Sequence, residues 1–338
     1  MEESLSLSLS LSCPLSLLSF FFLFTLSILS PISNAQLSQN YYTTSCPNVE
    51  SLVRSAVSLK VQQSMAAGPG TLRLFFHDCF IRGCDASVLL TSSTGDDENH
   101  SGADLTLSPD AVDTIKKAKE AVEGDPQCSN KVSCADVLAL AARDVVSLTG
   151  GPYYKVELGR LDGKVSTRAA VKYGLPGPSF NLDQLNALFS ANGLTQTDMI
   201  ALSGAHTIGI SHCDKFIRRI YQFKDPMPYN PPINLTFLRQ LRQTCPMSYQ
   251  QSSFVNLDPI SPFKFDNAYY QNLQRQMGLL ASDQVLFADR RSRGTVNLFA
   301  TNQTAFEEAF VAAITKLGKV GVKTGSDGEI RRVCTAVN

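Results

Sequence analysis

Arg73 and His77 stand four residues apart in a run, 71–80, that has no glycine or proline and is rich in good helix formers. On a helix that spacing puts both side chains on one face. A group that can take a proton then lies beside a cation that stays charged at any working pH. Together they can split a polar bond: the imidazole removes the proton and the guanidinium stabilises the anion left behind. The plainer alternative is a buried histidine with an arginine snorkelling past it, because such pairs arise by chance on every helix. Just downstream, Asp78, Asp85 and Ser87 are hard oxygen donors, and Gly83 permits a tight turn that brings main-chain carbonyls inward. That set suits calcium, which prefers many oxygen ligands; a solvated turn is the alternative. Cys79 and Cys84 flank the turn and could staple it.

A second stretch, Leu202-Ser203-Gly204-Ala205-His206-Thr207-Ile208-Gly209, reads as a helix running into Gly204 with His206 just beyond. A lone histidine in an apolar setting is more often a satisfied core residue than a ligand. The other two, His100 and His212, sit in a polar loop and beside Cys213, and neither is assigned chemistry.

These residues need a scaffold, and the periodicity predicts a helical one. Val49, Leu52, Val53, Ala56 and Val57 recur at helical spacing after Cys46-Pro47. Gly68-Pro69-Gly70 reads as a break before the Arg73/His77 helix. Residues 91–109 read as a polar loop. Further helices are expected over 133–148, ended by Gly150-Gly151, and over 183–192, after a Pro/Gly turn at 174–178. Thr304-Ala305-Phe306-Glu307 reads as a capping box, and Phe306, Phe310, Ile314 and Leu317 follow as one core-facing stripe. Strand signals are scarce and no repeat or internal linker is present. The expectation is a mostly α fold forming one domain over residues 36–338.

The chain has 338 residues with 30 Lys+Arg against 30 Asp+Glu and 43% apolar residues, so wholesale disorder is excluded and nothing suggests a nucleic-acid partner. Residues 1–35 are different in kind. An apolar run over 15–29, then Pro31 and the small residues Ser33 and Ala35 before Gln36, fit a cleaved secretory signal, although its leading segment carries Glu2 and Glu3 and no base. The run is short for a membrane span, so no membrane association is expected after cleavage. Of nine cysteines, Cys13 lies in this leader. The even number left argues for disulfides in an oxidising compartment, with the pairing open. Asn99, Asn234 and Asn302 open N-x-S/T sequons.

The stretch around His77 resembles the distal segment of the secreted plant haem peroxidases, the class III family that includes horseradish peroxidase. The pattern R-x-x-F-H-D-C-x-x-x-G-C-D-A-S is present as Arg73, Phe76, His77, Asp78, Cys79, Gly83, Cys84, Asp85, Ala86 and Ser87. L-S-G-A-H-T-I-G likewise resembles the family's proximal segment, and the likeness covers essentially all of residues 36–338. The resemblance implies a helical fold that holds haem b between distal and proximal halves. It makes Arg73 and His77 the peroxide-splitting pair, Phe76 a shield over the haem face and His206 the axial ligand of the iron. Asp283 becomes the acceptor that orients His206; alone it would read as a turn residue or helix cap. One calcium ion would be held by Asp78, Asp85 and Ser87 with carbonyls near Ile81 and Gly83. A second would be held by Thr207, Asp258, Ser261 and Asp266. Pro176 would help receive aromatic donors, and Asp136 and Arg160 would form a structural ion pair. The implied disulfides are Cys46–Cys128, Cys79–Cys84, Cys134–Cys334 and Cys213–Cys245.

Two departures stand out. Gly159-Arg160-Leu161-Asp162 lacks the second arginine common in the family. Six residues after Glu98, where the family usually has an asparagine accepting from the distal histidine, this chain has Asp104. An ionised Asp104 is expected to raise the pKa of His77. The chain stops shortly after Cys334, without the extension of vacuolar members, so export to the extracellular space or cell wall is expected. The function implied is reduction of hydrogen peroxide with one-electron oxidation of small phenolic donors, by a monomer. The rivals are a catalytically silent haem- and calcium-binding wall protein, and a metal-free hydrolase on His77 and Asp78. The hydrolase lacks a nucleophile motif.

Overall fold

Apolar side chains at helical spacing fold into helices that bury one another, and among the described residues strand structure is limited to one short ribbon and a few isolated bridges. The computed structural model describes residues 37–222 and 231–338, so the expected leader over 1–35 lies outside the described residues. The first half contains α1 (Val49–Gln63), α2 (Ala67–Ile81), α3 (Pro109–Glu123), α4 (Cys134–Leu148) and the short α5 (Arg168–Val171). The second half contains α6 (Leu182–Ala191), α7 (Gln196–Ser203), α8 (Ile217–Tyr221), α9 (Leu235–Thr244), α10 (Ala268–Gln274), α11 (Ala281–Ala288), α12 (Arg290–Thr301) and α13 (Gln303–Leu317). Strands β1 (Ile210–His212) and β2 (Phe254–Asn256) pair antiparallel, with Ser211 opposite Val255. The mostly α expectation is borne out.

The expected stripes are core. Val49, Val53 and Val57 of α1 are buried, and α1 packs on α3 and α4. The interior of α4 is apolar almost all round, as suits a central helix; α2 lies against it. Phe306, Phe310, Ile314 and Leu317 face inward from α13, which packs on α7. A smaller apolar cluster closes around Cys213–Cys245 under α8 and α9. All four implied disulfides are formed.

Two local readings need correction. The helix carrying Arg73 begins at Ala67, so Gly68-Pro69-Gly70 forms its first turn and does not precede it. Proline is tolerated there because first-turn N–H groups lack an intrahelical acceptor. Gly70 is needed for closeness: a Cβ would come within 2.8 Å of the Ser108 Cβ. The cap of α13 is Asn302, whose Oδ1 accepts the Ala305 N–H at 3.0 Å; Thr304 lies inside the first turn and Glu307 just beyond it. An asparagine at the cap competes well with a threonine two residues on.

The turn after α2 is pressed against the segment following α13. Gly83 adopts φ +104, and a Cβ on it would lie 2.4 Å from the Gly321 carbonyl oxygen. Only glycine meets both conditions. The expected pair also forms: Asp136 and Arg160, both buried, meet at 2.9 Å, and Asp136 further accepts the Tyr42 hydroxyl at 2.8 Å.

Candidate active site

Helix α2 presents Arg73 and His77 on one face as their spacing requires. Arg73 Nε donates to His77 Nε2 at 3.2 Å. The rest of the guanidinium donates to the Thr106 carbonyl at 2.8 Å, and to the Ala103 carbonyl and Thr106 Oγ1 at 3.0 Å each. His77 Nδ1 meets Asp104 Oδ1. The short 3-10 segment Gly102–Thr106 therefore anchors both members of the pair. Because the guanidinium can only donate, Nε2 of His77 is an acceptor and Nδ1 carries the proton toward Asp104. Burial holds the His77 pKa below its ordinary 6.5; the Asp104 hydrogen bond and charge pull it up, and the Arg73 charge pushes it down. Asp104 pulls the value up more strongly than Arg73 pushes it down, and desolvation of a ring buried to 6% exposure still keeps it below 6.5.

Opposite this face, α7 ends and the 3-10 turn Gly204–Thr207 carries His206. Its Nδ1 meets Asp283 Oδ1 at 2.8 Å, and Asp283 sits in the first turn of α11, buried to 3% exposure. Asp283 also accepts the Tyr269 hydroxyl on Oδ1 at 3.0 Å and the Leu280 N–H on Oδ2 at 3.2 Å. Burial works against a charged His206, yet the charge and hydrogen bond of Asp283 outweigh it and hold the pKa above 6.5; the Arg73 charge opposes them from across the gap. The His206 side chain keeps 40% of its surface open. An imidazole held by a carboxylate through Nδ1, with Nε2 facing open space, is the form a metal-binding histidine takes. The residues present therefore fit a haem iron.

The proposed calcium residues fall in two groups. Asp78 Oδ2 accepts the Ala86 N–H at 2.9 Å, while Asp85 Oδ2 and Ser87 Oγ are buried without a hydrogen-bond partner. Burial and the neighbouring Asp85 push the Asp78 pKa well above its ordinary range. Ile81 closes α2, and the Gly83 carbonyl accepts the Asp85 N–H at 2.7 Å. In the second group Asp266 Oδ1 accepts from Ser261 Oγ at 3.0 Å and Thr207 Oγ1 at 3.4 Å. Asp258 accepts the Ser261 N–H at 3.1 Å and keeps Oδ2 without a partner. Among the described residues no three His, Cys, Asp or Glu side chains converge to hold a metal by themselves. Either site must draw on hydroxyl and carbonyl oxygens, which is calcium's ligand chemistry.

Of the remaining expectations, Phe76 stacks on Phe80 at 4.2 Å between ring centroids. Pro176 is half-buried in the turn before α6, and that turn is tied to α11 by the Ser282 N–H donating to the Pro178 carbonyl at 3.1 Å. The Asn99 amide is engaged by the Val88 carbonyl at 2.6 Å, which makes it the least available sequon; Asn234 and Asn302 cap helices through Oδ1. His100 pairs with Asp97 at 2.7 Å.

Two residues escaped the sequence reading. Glu98, there only a counting mark, is fully buried, and its carboxylate oxygens have no well-formed hydrogen bond. Burial pushes its pKa up to about 8, the Ser87 hydroxyl pulling it down and the Asp85 and Asp104 charges adding to the rise. Tyr269 had no assigned role at all. The only available signal for either was a polar residue in a segment otherwise buried.

A family model described as Peroxidase matches residues 53–302. The chain belongs to the peroxidase family. Among curated proteins it is 60% identical over 304 residues to Peroxidase 16 of Arabidopsis thaliana, covering 90% of this chain and 93% of that protein. It is 56% identical over 315 residues to Peroxidase 45 of the same plant, with coverages of 93% and 96%, and 51% identical over 317 residues to Peroxidase 50. The resemblance to the class III peroxidases is thus borne out. The chain is a peroxidase, an oxidoreductase whose family implies haem, hydrogen peroxide and a donor substrate.

Proposed function

We propose that this peroxidase is secreted, holds haem b between the Arg73/His77 face and His206, binds two calcium ions and oxidises small phenolic donors. The observation that carries the reading is the pair of histidines, each tied through Nδ1 to its own buried carboxylate, with the Arg73 guanidinium donating to Nε2 of His77. That asymmetry assigns different work to the two rings. Haem, when bound, supplies the iron and the store of oxidising equivalents.

His206 offers Nε2 to the iron, and Asp283 keeps the proton on Nδ1 and fixes the ring. His77 Nε2 is the acceptor for the first proton of peroxide and returns it to the leaving oxygen. The bond it already receives from Arg73 is the longest of the four that this guanidinium makes, so it is the one an incoming proton replaces most readily. Arg73, held by carbonyls of the 102–106 segment, keeps its charge where negative charge develops. Phe76 covers the haem face, and Pro176 borders the path of the donor. Asp78, Asp85 and Ser87, with carbonyls near Ile81 and Gly83, hold one calcium; Thr207, Asp258, Ser261 and Asp266 hold the other.

Secretion is supported by the apolar leader, by disulfides formed across the described chain, and by the finding that no helix among the described residues is long and apolar enough to cross a membrane. Stopped-flow mixing of the purified protein with hydrogen peroxide, read at the Soret band and followed by a phenol, tests the whole reading. A Soret change that the phenol reverses supports it. A Soret band that ignores peroxide favours the silent binding protein, and its absence defeats the haem assignment. Sequencing the N-terminus of secreted material should give Gln36.

A further inference from the structure

Asp283 is approached by more donors than the orientation of one ring requires. Oδ1 takes the His206 Nδ1–H at 2.8 Å and the Tyr269 hydroxyl at 3.0 Å, so two donors share one oxygen. The Tyr269 ring is buried to 3% exposure and stands edge-on to His206 with centroids 6.3 Å apart. Its helix, α10, is pinned by its neighbours. The Tyr270 hydroxyl donates to the Ile200 carbonyl at 2.9 Å, and the Asn267 amide donates to the Phe299 carbonyl at 2.9 Å. The phenol is thus delivered to Asp283 by a rigid frame.

We propose that Tyr269 is a positioning residue that sets how strongly Asp283 pulls on the Nδ1–H of His206, and through it how electron-rich the iron's ligand is. The proposal rests on His206 being that ligand. A hydrogen bond to a carboxylate oxygen draws charge from it and lowers its basicity. With Tyr269 donating, Oδ1 has less to offer His206, and the imidazole keeps more neutral character. Without it the same carboxylate pulls harder, the ring becomes more anionic, and the oxidised iron is favoured. A phenol suits this post because it stays protonated: burial pushes its pKa well above the ordinary 10, and the Asp283 charge adds to that. A purely structural account, in which the hydroxyl only satisfies a buried carboxylate, predicts a loss of stability and no electronic effect on His206.

Tyr269→Phe removes one O–H and keeps the ring, and leaves Asp283 still bonded to His206 and Leu280. In the holoenzyme we expect its ferric/ferrous potential to move to more negative values and the iron–histidine stretch in resonance Raman to rise. In the haem-free full chain the Nδ1 proton of His206 should move downfield in the NMR spectrum, a readout independent of activity. Replacing Tyr269 by 3-fluorotyrosine, a stronger donor of nearly the same shape, should move all three signals the opposite way. Opposite signs support the proposal. Unmoved potential and proton shift in both variants, with the haem spectrum intact, would overturn it and leave the haem reading standing. A His206→Ala control whose haem spectrum is unchanged would overturn the ligand assignment instead.

Discussion

Arg73 Nε donates to His77 Nε2 at 3.2 Å, and that one bond decides the state of the ring. A guanidinium offers no lone pair, so His77 must present one there and keep its proton on the Asp104 side. The base that peroxide chemistry needs is thereby ready before any substrate arrives.

The pH profile should carry this arrangement. His77 works while neutral, and burial with the Arg73 charge places its pKa below 6.5. Activation should therefore persist below pH 6.5 and fail only as pH falls through the lowered value. Asp104 pulls that value up, so Asp104→Asn should shift the acid limb to still lower pH. The rate of the first peroxide-dependent Soret change, measured against pH for both proteins, decides it. Coincident limbs would mean that Asp104 is uncharged beside His77.

His206→Ala removes the proposed iron ligand while leaving Asp283 its bonds from Tyr269 and Leu280. The native Soret band should be lost or the haem bound weakly, and turnover should fall by more than the roughly 10–100-fold that loss of a group merely orienting such a ligand costs. Wild-type spectra and turnover in this variant would sink the assignment.

Prolonged chelation should lower the melting temperature and slow turnover, and calcium should restore both. Ions that bind the folded state alone stabilise it by mass action. Their removal leaves Asp78 and Asp85 close together in the interior, with Asp85 Oδ2 facing only Lys323 Nζ at 3.4 Å. Each kcal/mol lost lowers the melting temperature by roughly 2–4 °C in a chain above about 150 residues. A melting curve indifferent to chelator, with no calcium by elemental analysis, would remove both sites.

Asp136→Ala should be among the most damaging single changes away from the site. It would leave the buried Arg160 guanidinium without its carboxylate and the Tyr42 hydroxyl without its acceptor. Breaking a buried pair from one side costs about 3–5 kcal/mol. Urea midpoints of mutant and native protein measure the loss, and a shift equivalent to under about 1 kcal/mol would refute it.

What the sequence made legible follows from how local each feature is. Arg73 and His77 are four residues apart, so helix periodicity alone puts them together. His206 and Asp283 are separated by 77 positions, and only the family resemblance joined them. Tyr269 and Glu98 were invisible because their importance lies in what they meet, and nothing local encodes that meeting. The helix start at Ala67 was misread because proline and glycine usually punctuate; here close packing on Ser108 favoured them in the first turn. The directions in which Asp104 and Arg73 push the His77 pKa can be read from residue types, whereas its desolvation cannot.

The Cys134–Cys334 bridge spans 200 residues, and the fully buried Arg331 beside it donates to the Ala86 carbonyl at 2.6 Å, while its own N–H is taken by Asp162 at 2.9 Å. During synthesis, then, the helical first half emerges before these contacts can form. Its Asp162 and its Cys134 thiol must wait for partners made 169 and 200 codons later. Final closure of this peroxidase is a post-translational event, and a message truncated just short of codon 331 would yield nearly every catalytic group with no lasting frame to hold them.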